Sequence, residues 1–173
     1  MEAAPKPFLA EFFGLEEPAG PDPDGTYGGA VCPPDQAKTI WWMAWLTVAS
    51  VAVAAYRGYY DMALVAFIIL ITSLLYWYNP TYCWRRNLDI IAVQIGLWWH
   101  MYRAIGAENR VPYFIFVGAG SLAFMAGWAL FSAGSTWAGT LAHVILHICA
   151  NLSNIVLYMG HIPPLSLLPF IAL

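Results

Sequence analysis

The sequence predicts an all-α integral membrane protein, a bundle of about five transmembrane helices. Three observations predict it. Hydrophobic residues make up 61% of the 173 residues and charged residues only 10%, against roughly 25% charged residues in a soluble domain. Burial in lipid resolves that shortage of polar surface. Five long apolar runs follow one another, and stretches such as ALVAFIILITSLLYW are apolar throughout, not alternating with period two as transmembrane strands do. Trp and Tyr gather at the ends of the runs, among them Trp41, Trp42, Tyr56, Tyr59, Tyr60, Trp77, Tyr78, Trp98, Trp99, Tyr102, Tyr113 and Trp137, the belt expected at both faces of a bilayer.

Residues 1–38 form an acidic, Pro/Gly-rich N-terminal segment with seven acids against Lys6 and Lys38. A run such as PAGPDPDGTYGG has too little apolar surface to fold alone. FLAEFFGL at 8–15 reads as one or two helical turns on the membrane surface. It is short, interrupted by Glu11 and without a basic flank, so it does not read as a signal peptide.

A transmembrane domain follows over 39–160. Its apolar runs are Thr39–Tyr56, ended by Arg57-Gly58, and Met62–Tyr78, ended by Asn79-Pro80. The third is Leu88–Tyr102, with Arg103 beyond it, and the fourth is Val111–Phe131, closed by the SAGS turn at 132–135. The fifth is Trp137–Met159, stopped by Gly160 and Pro163-Pro164. A spanning helix needs about 20 residues, so the third run falls short unless Arg86 or Asp89 enters the headgroup region. The tail 161–173 is apolar but rich in proline, which suits packing against the bundle or lying in the interface rather than a sixth span.

Let the N-terminal side be side A. Lys6, Lys38, Arg85 and Arg86 then fall on side A, and Arg57, Arg103 and Arg110 on side B. The compact Arg85-Arg86 pair favours side A as cytosolic. No basic groove or tail exists to hold nucleic acid. The partners implied are the lipid bilayer, other membrane proteins or further copies of this chain. The three cysteines, Cys32, Cys83 and Cys149, form no CxxC pair. Cys149 sits in an apolar run, and a Cys32–Cys83 disulfide would require both on one non-cytosolic side.

Polar groups inside a span are costly and need a partner or a purpose. In the fifth run His143, His147, Asn151, Asn154 and Tyr158 fall on one helical stripe. Two His at i and i+4 have the spacing that lets imidazoles share a metal ion; the same stripe also serves as hydrogen-bonded helix–helix glue. In the third run Asp89, Gly96 and His100 share a face. Asp89 is expected either at headgroup level beside Arg85-Arg86 or in a site, and His100 among Trp98, Trp99 and Tyr102. Ser73, Asp89, His143 and His147 all fall in the side A half, with His143 about 9 Å in, which favours one shared site. Gly118, Gly120, Ala123 and Gly127 permit close helix contact in the fourth run.

This arrangement resembles the superfamily of membrane hydrolases that includes the alkaline ceramidases and the adiponectin/progestin receptors. Its pattern is Ser-x-x-x-His near the end of the second core helix, an Asp at the start of the third and His-x-x-x-His in the last. Here Ser73-Leu-Leu-Tyr-Trp77, Asp89 and His143-Val-Ile-Leu-His147 take those positions. Trp77 stands where the family places a histidine, and five spans stand where it has seven. The resemblance implies Ser73 and Asp89 as catalytic residues, His143 and His147 as metal ligands, zinc as the metal and lipid amide hydrolysis as the reaction. Residue chemistry alone points first to a small non-catalytic accessory, scaffold or lipid-binding bundle. The alternatives are that metal-dependent amidase and a small transporter or channel using Asp89 and the His143–Tyr158 stripe as a polar path.

Overall fold

The computed structural model describes residues 32–81 and 83–164. FLAEFFGL and the end of the Pro-rich tail lie outside the described residues. Those described are helical, with no strand among them. In chain order the helices are α1 (Pro34–Ala44), α2 (Thr47–Tyr56), α3 (Tyr60–Trp77), α4 (Trp84–Ala104), α5 (Arg110–Ser132) and α6 (Thr136–Met159).

The first span begins at Pro34 rather than Thr39. Pro34 opens α1 where its missing N–H costs nothing, and Asp35 lies in the first turn at the positive end of the helix dipole. Trp45 and Leu46 keep right-handed helical dihedrals, but their N–H groups bond three residues back, to Trp42 and Met43. The tightened turn divides one apolar run into α1 and α2 without ending it, and Pro34–Tyr56 forms a single stretch of 23 residues.

Glycine places two reversals. Gly58 has φ +79° and Gly134 φ +77°, a conformation that costs a side-chain-bearing residue energy. Tyr59 N–H bonds Ala54 O and Gly58 N–H bonds Ala55 O; Ser135 N–H bonds Leu130 O and Gly134 N–H bonds Phe131 O. Both sets are the paired bonds that close a helix on a left-handed residue. Arg57-Gly58 and SAGS therefore end α2 and α5 as their composition predicts.

Four stretches are long and apolar enough to cross a membrane: Pro34–Tyr56, α3, α5 and α6. The fifth expected run is α4, which extends at both ends beyond Leu88–Tyr102 and takes in Arg85, Arg86, Asp89 and Arg103. Its 21 residues measure about 30 Å, the thickness of a hydrocarbon core. The length deficit read from the apolar run is thus corrected. Large apolar side chains point outward, as with Ile115 at 64%, Leu122 at 69% and Trp128 at 71% exposure. A water-soluble monomer rarely carries so continuous an apolar exterior.

α3 packs between α2 and α4, and α6 lies against α1 and α2. α5 packs almost wholly on α6. A Cβ added to Gly120 would lie 3.3 Å from Cys149 Cβ, and one on Gly127 would lie 3.4 Å from Gly139 O. Gly118 faces open space. Of the small residues in this run, Gly120 and Gly127 therefore set the close approach.

Two apolar clusters anchor the ends. Cys32, Ala37, Ile40, Tyr76 and Trp77 are buried together on side A, and Ala54, Met62, Ala104, Tyr113, Leu157, Tyr158 and Ile162 on side B. On side B Arg103 pairs with Asp61, which also accepts from Trp99 Nε1 at 3.2 Å. The segment after α6 is tied across this end. Tyr59 Oη donates to Gly160 O and accepts from Ile162 N–H, while Arg103 donates to Pro163 O. The described start of the tail, 161–164, thus packs against the bundle.

The glycine contacts predict a contrast. Gly120→Leu lowers the stability of the detergent-solubilised protein by about 1–3 kcal/mol through overpacking against α6. Gly118→Leu changes it by less than about 0.5 kcal/mol. Unfolding in mixed micelles reads both, and equal losses would contradict the assigned faces.

Candidate functional site

Asp89 lies on the inward face of α4 with Ala92, Gly96, His100 and Arg103. Its buried carboxylate accepts from Ser73 Oγ at 2.7 Å and Thr72 Oγ1 at 3.0 Å. The headgroup placement beside arginine gives way to a cross-helix cluster of hydroxyls. Arg85 turns away and donates to Asn79 O at 3.3 Å. Thr72 joins a pair that sequence reasoning limited to Ser73; the only signal was the Thr-Ser doublet. Thr72 also reaches Ile69 O at 3.1 Å, and one hydroxyl proton can serve only one acceptor at a time.

His143 and His147 stand one turn apart on α6, their ring centroids 5.1 Å apart and steeply inclined. The indole of Trp77 lies 4.9 Å from the His143 ring. Nε2 of His147 is buried and has no hydrogen-bond partner among the described residues. Ser73 and Asp89 thus meet as one pair, and His143 and His147 as another. Among the described residues no three His, Cys, Asp or Glu side chains converge as metal donors.

Further along the stripe the polar groups are taken up between helices. Asn151 Oδ1 accepts from Ser50 Oγ at 2.7 Å, and its Nδ2 donates to its own helix at His147 O. Tyr158 Oη meets His100 Nε2 at 2.6 Å, while His100 Nδ1 lies 2.7 Å from Gly96 O. A carbonyl can only accept, so Nδ1 carries the proton and the neutral ring accepts from the Tyr158 hydroxyl. His100 is therefore buried against α6 rather than stacked among Trp98, Trp99 and Tyr102. On side A Gln36 donates to Thr136 at 3.1 Å and accepts from Thr140 at 2.9 Å. Sequence reasoning missed Gln36, Asp61–Arg103 and His100–Tyr158, since their partners lie far apart in the chain.

Beside Trp77 a cleft of about 350 Å³ opens on side A, walled by Trp41, Trp42, Trp77 and Tyr78, with Lys38 and Cys32 in its lining. All three cysteines are free thiols, so Cys32 and Cys83 do not pair. Burial pushes the Cys32 thiol up to about 11, with the Asp35 charge adding to it. At Cys83 burial also raises the thiol, but hydrogen bonds from Thr81, Arg85 and the Arg86 and Arg85 backbone outweigh it and bring it down to about 7.

The fold and the polar contacts define an apolar helical bundle cross-linked by hydrogen-bonded pairs. Compared with known proteins, the chain matches no family, no curated protein and no solved structure.

The Asp89 cluster predicts an ordered series. Asp89→Ala destabilises the protein by about 1–3 kcal/mol because it strands the Ser73 hydroxyl. Asp89→Asn keeps an oxygen in place and costs about 1 kcal/mol or less. Thr72→Val costs less than Ser73→Ala, since the Thr72 proton is shared with Ile69 O. Unfolding in mixed micelles ranks the four, and a Thr72→Val loss equal to that of Ser73→Ala would contradict the geometry.

Proposed function

We propose that the chain is a multi-pass membrane bundle, N-terminus on the cytosolic side, that performs no catalysis and serves as an accessory or scaffold that binds lipid. One observation carries the reading: most polar groups at helix contacts, His147 Nε2 and Arg103 Nε excepted, are occupied with each other. Asp89 holds two hydroxyls of α3, Asn151 one of α2, and His100 that of Tyr158. Groups so engaged hold helices together. The outer face of α5, bound to the bundle almost wholly through α6, leaves room for a neighbouring membrane protein or a second copy.

The resemblance to the membrane amidases implies zinc, and the residues can be tested for it. A catalytic zinc takes three protein ligands and a water. The described residues offer His143 and His147, and the side chain against His143 is Trp77, whose indole N–H donates and has no lone pair for a metal. The donor set does not fit a catalytic zinc. The amidase reading draws on a single feature, the unpartnered Nε2 of His147.

Metal analysis and amide hydrolysis separate the two readings. Purified protein is expected to contain far less than one zinc per chain and to leave a ceramide amide intact. Its helicity should survive His143→Ala with His147→Ala. One zinc per chain, lost in that double variant together with amide cleavage, would overturn the proposal.

A further inference from the structure

We propose that the side A cleft binds an anionic phospholipid, its acyl chains against the tryptophans and its phosphate between Lys38 and Arg85. The inference rests on the lipid-binding reading above and names its site and ligand. The cleft is about 350 Å³, within the range of small-molecule sites. Its walls are apolar and aromatic, with Trp41 and Trp42 from α1 facing Trp77 and Tyr78 at the end of α3. Trp77 and Tyr78 end α3, the level at which acyl chains give way to headgroups, and Trp41 and Trp42 lie about two turns inside the start of α1.

The rim carries positive charge. Lys38 lines the cleft, is exposed and forms no ion pair among the described residues. The hydrogen bond from Arg85 to Asn79 O holds a guanidinium against another lining residue. Asp35, one turn before Lys38 on α1, is exposed and offsets one of these charges. Lys38 in the lining and Arg85 bonded to the lining residue Asn79 complement an anionic headgroup on apolar chains. A choline headgroup would meet the aromatic faces favourably but be repelled by Lys38 and Arg85. A free phosphate would gain nothing from the tryptophan walls. Trp77 lines the cleft and also stands 4.9 Å from the His143 ring, while neither His143 nor His147 lines it.

The test uses the full chain, extracted from bilayers of equal phosphatidylcholine and phosphatidylglycerol into mild detergent, with retained lipids counted by native mass spectrometry. Phosphatidylglycerol should be retained over phosphatidylcholine by about fivefold or more, the contribution of a single well-placed cation. Lys38→Gln with Arg85→Gln should remove the preference, and Arg110→Gln at the opposite end should keep it. Trp42→Ala, at a side chain 56% exposed and thus no threat to folding, should lower retention of both lipids. Excess inorganic phosphate should displace nothing. Equal retention of the two lipids, an unchanged preference in the double variant, or full displacement by phosphate would each overturn the proposal. Zinc and amide cleavage would remove the non-catalytic reading and leave this lipid count standing. A lost preference in zinc-free, inactive protein would remove the lipid site alone.

Discussion

Every polar group enclosed by apolar helices must find its hydrogen-bond partner within the protein, because neither lipid nor an aliphatic neighbour can supply one. That constraint organises this molecule. The backbone meets it by coiling, and most side chains meet it by pairing across helices, His147 Nε2 and Arg103 Nε excepted. Asp89 joins α4 to α3, Asn151 joins α6 to α2, Tyr158 joins α6 to α4 and Gln36 joins α1 to α6. These contacts lie at different depths from side A to side B, so they fix which helices are neighbours and the register in which they meet. Apolar packing between helices is far less selective.

The same constraint explains the apparent conflict in α4. Arg103 and Asp89 make it the least apolar of the long helices, yet both are buried with partners. Their charges lower its apolar character along the sequence while their pairing secures its place in the bundle. Arg103 further ties the segment after α6 through Pro163 O, so side B is closed by a strap hydrogen-bonded to Tyr59 before α3, Arg103 of α4 and Glu108 after α4. Side A is different in kind. It holds an open aromatic cleft and the loosely engaged imidazoles of His143 and His147.

Much of this was legible along the chain. Continuous apolar runs delimited the helices, and Gly58 and Gly134 marked reversals that only a left-handed residue closes. Asp89, Gly96 and His100 share the buried face that their spacing predicts. What stayed illegible was partner choice. Asp61 and Arg103 are 42 positions apart, and nothing local links them. Thr72 carries no signal of its own along the chain, and its role rests on the Asp89 carboxylate that α4 brings within 3.0 Å. The tight turn at Trp45–Leu46 left no mark in composition, and the cleft arises only when α1 meets the end of α3. Ser73 with Asp89 and His143 with His147 were expected together in one half; each pair forms, and Trp77 stands beside the second.

The central claim is that the helices traverse a bilayer in alternation, and sidedness tests it most directly. In sealed vesicles, with the native cysteines replaced by alanine, single cysteines at Tyr56, Tyr78, Arg110 and Ala133 can be labelled with a membrane-impermeant maleimide. Tyr78→Cys and Ala133→Cys should react from one face, and Tyr56→Cys and Arg110→Cys from the other. Labelling of all four from the same face, or recovery of the chain in the aqueous fraction without detergent, would contradict it.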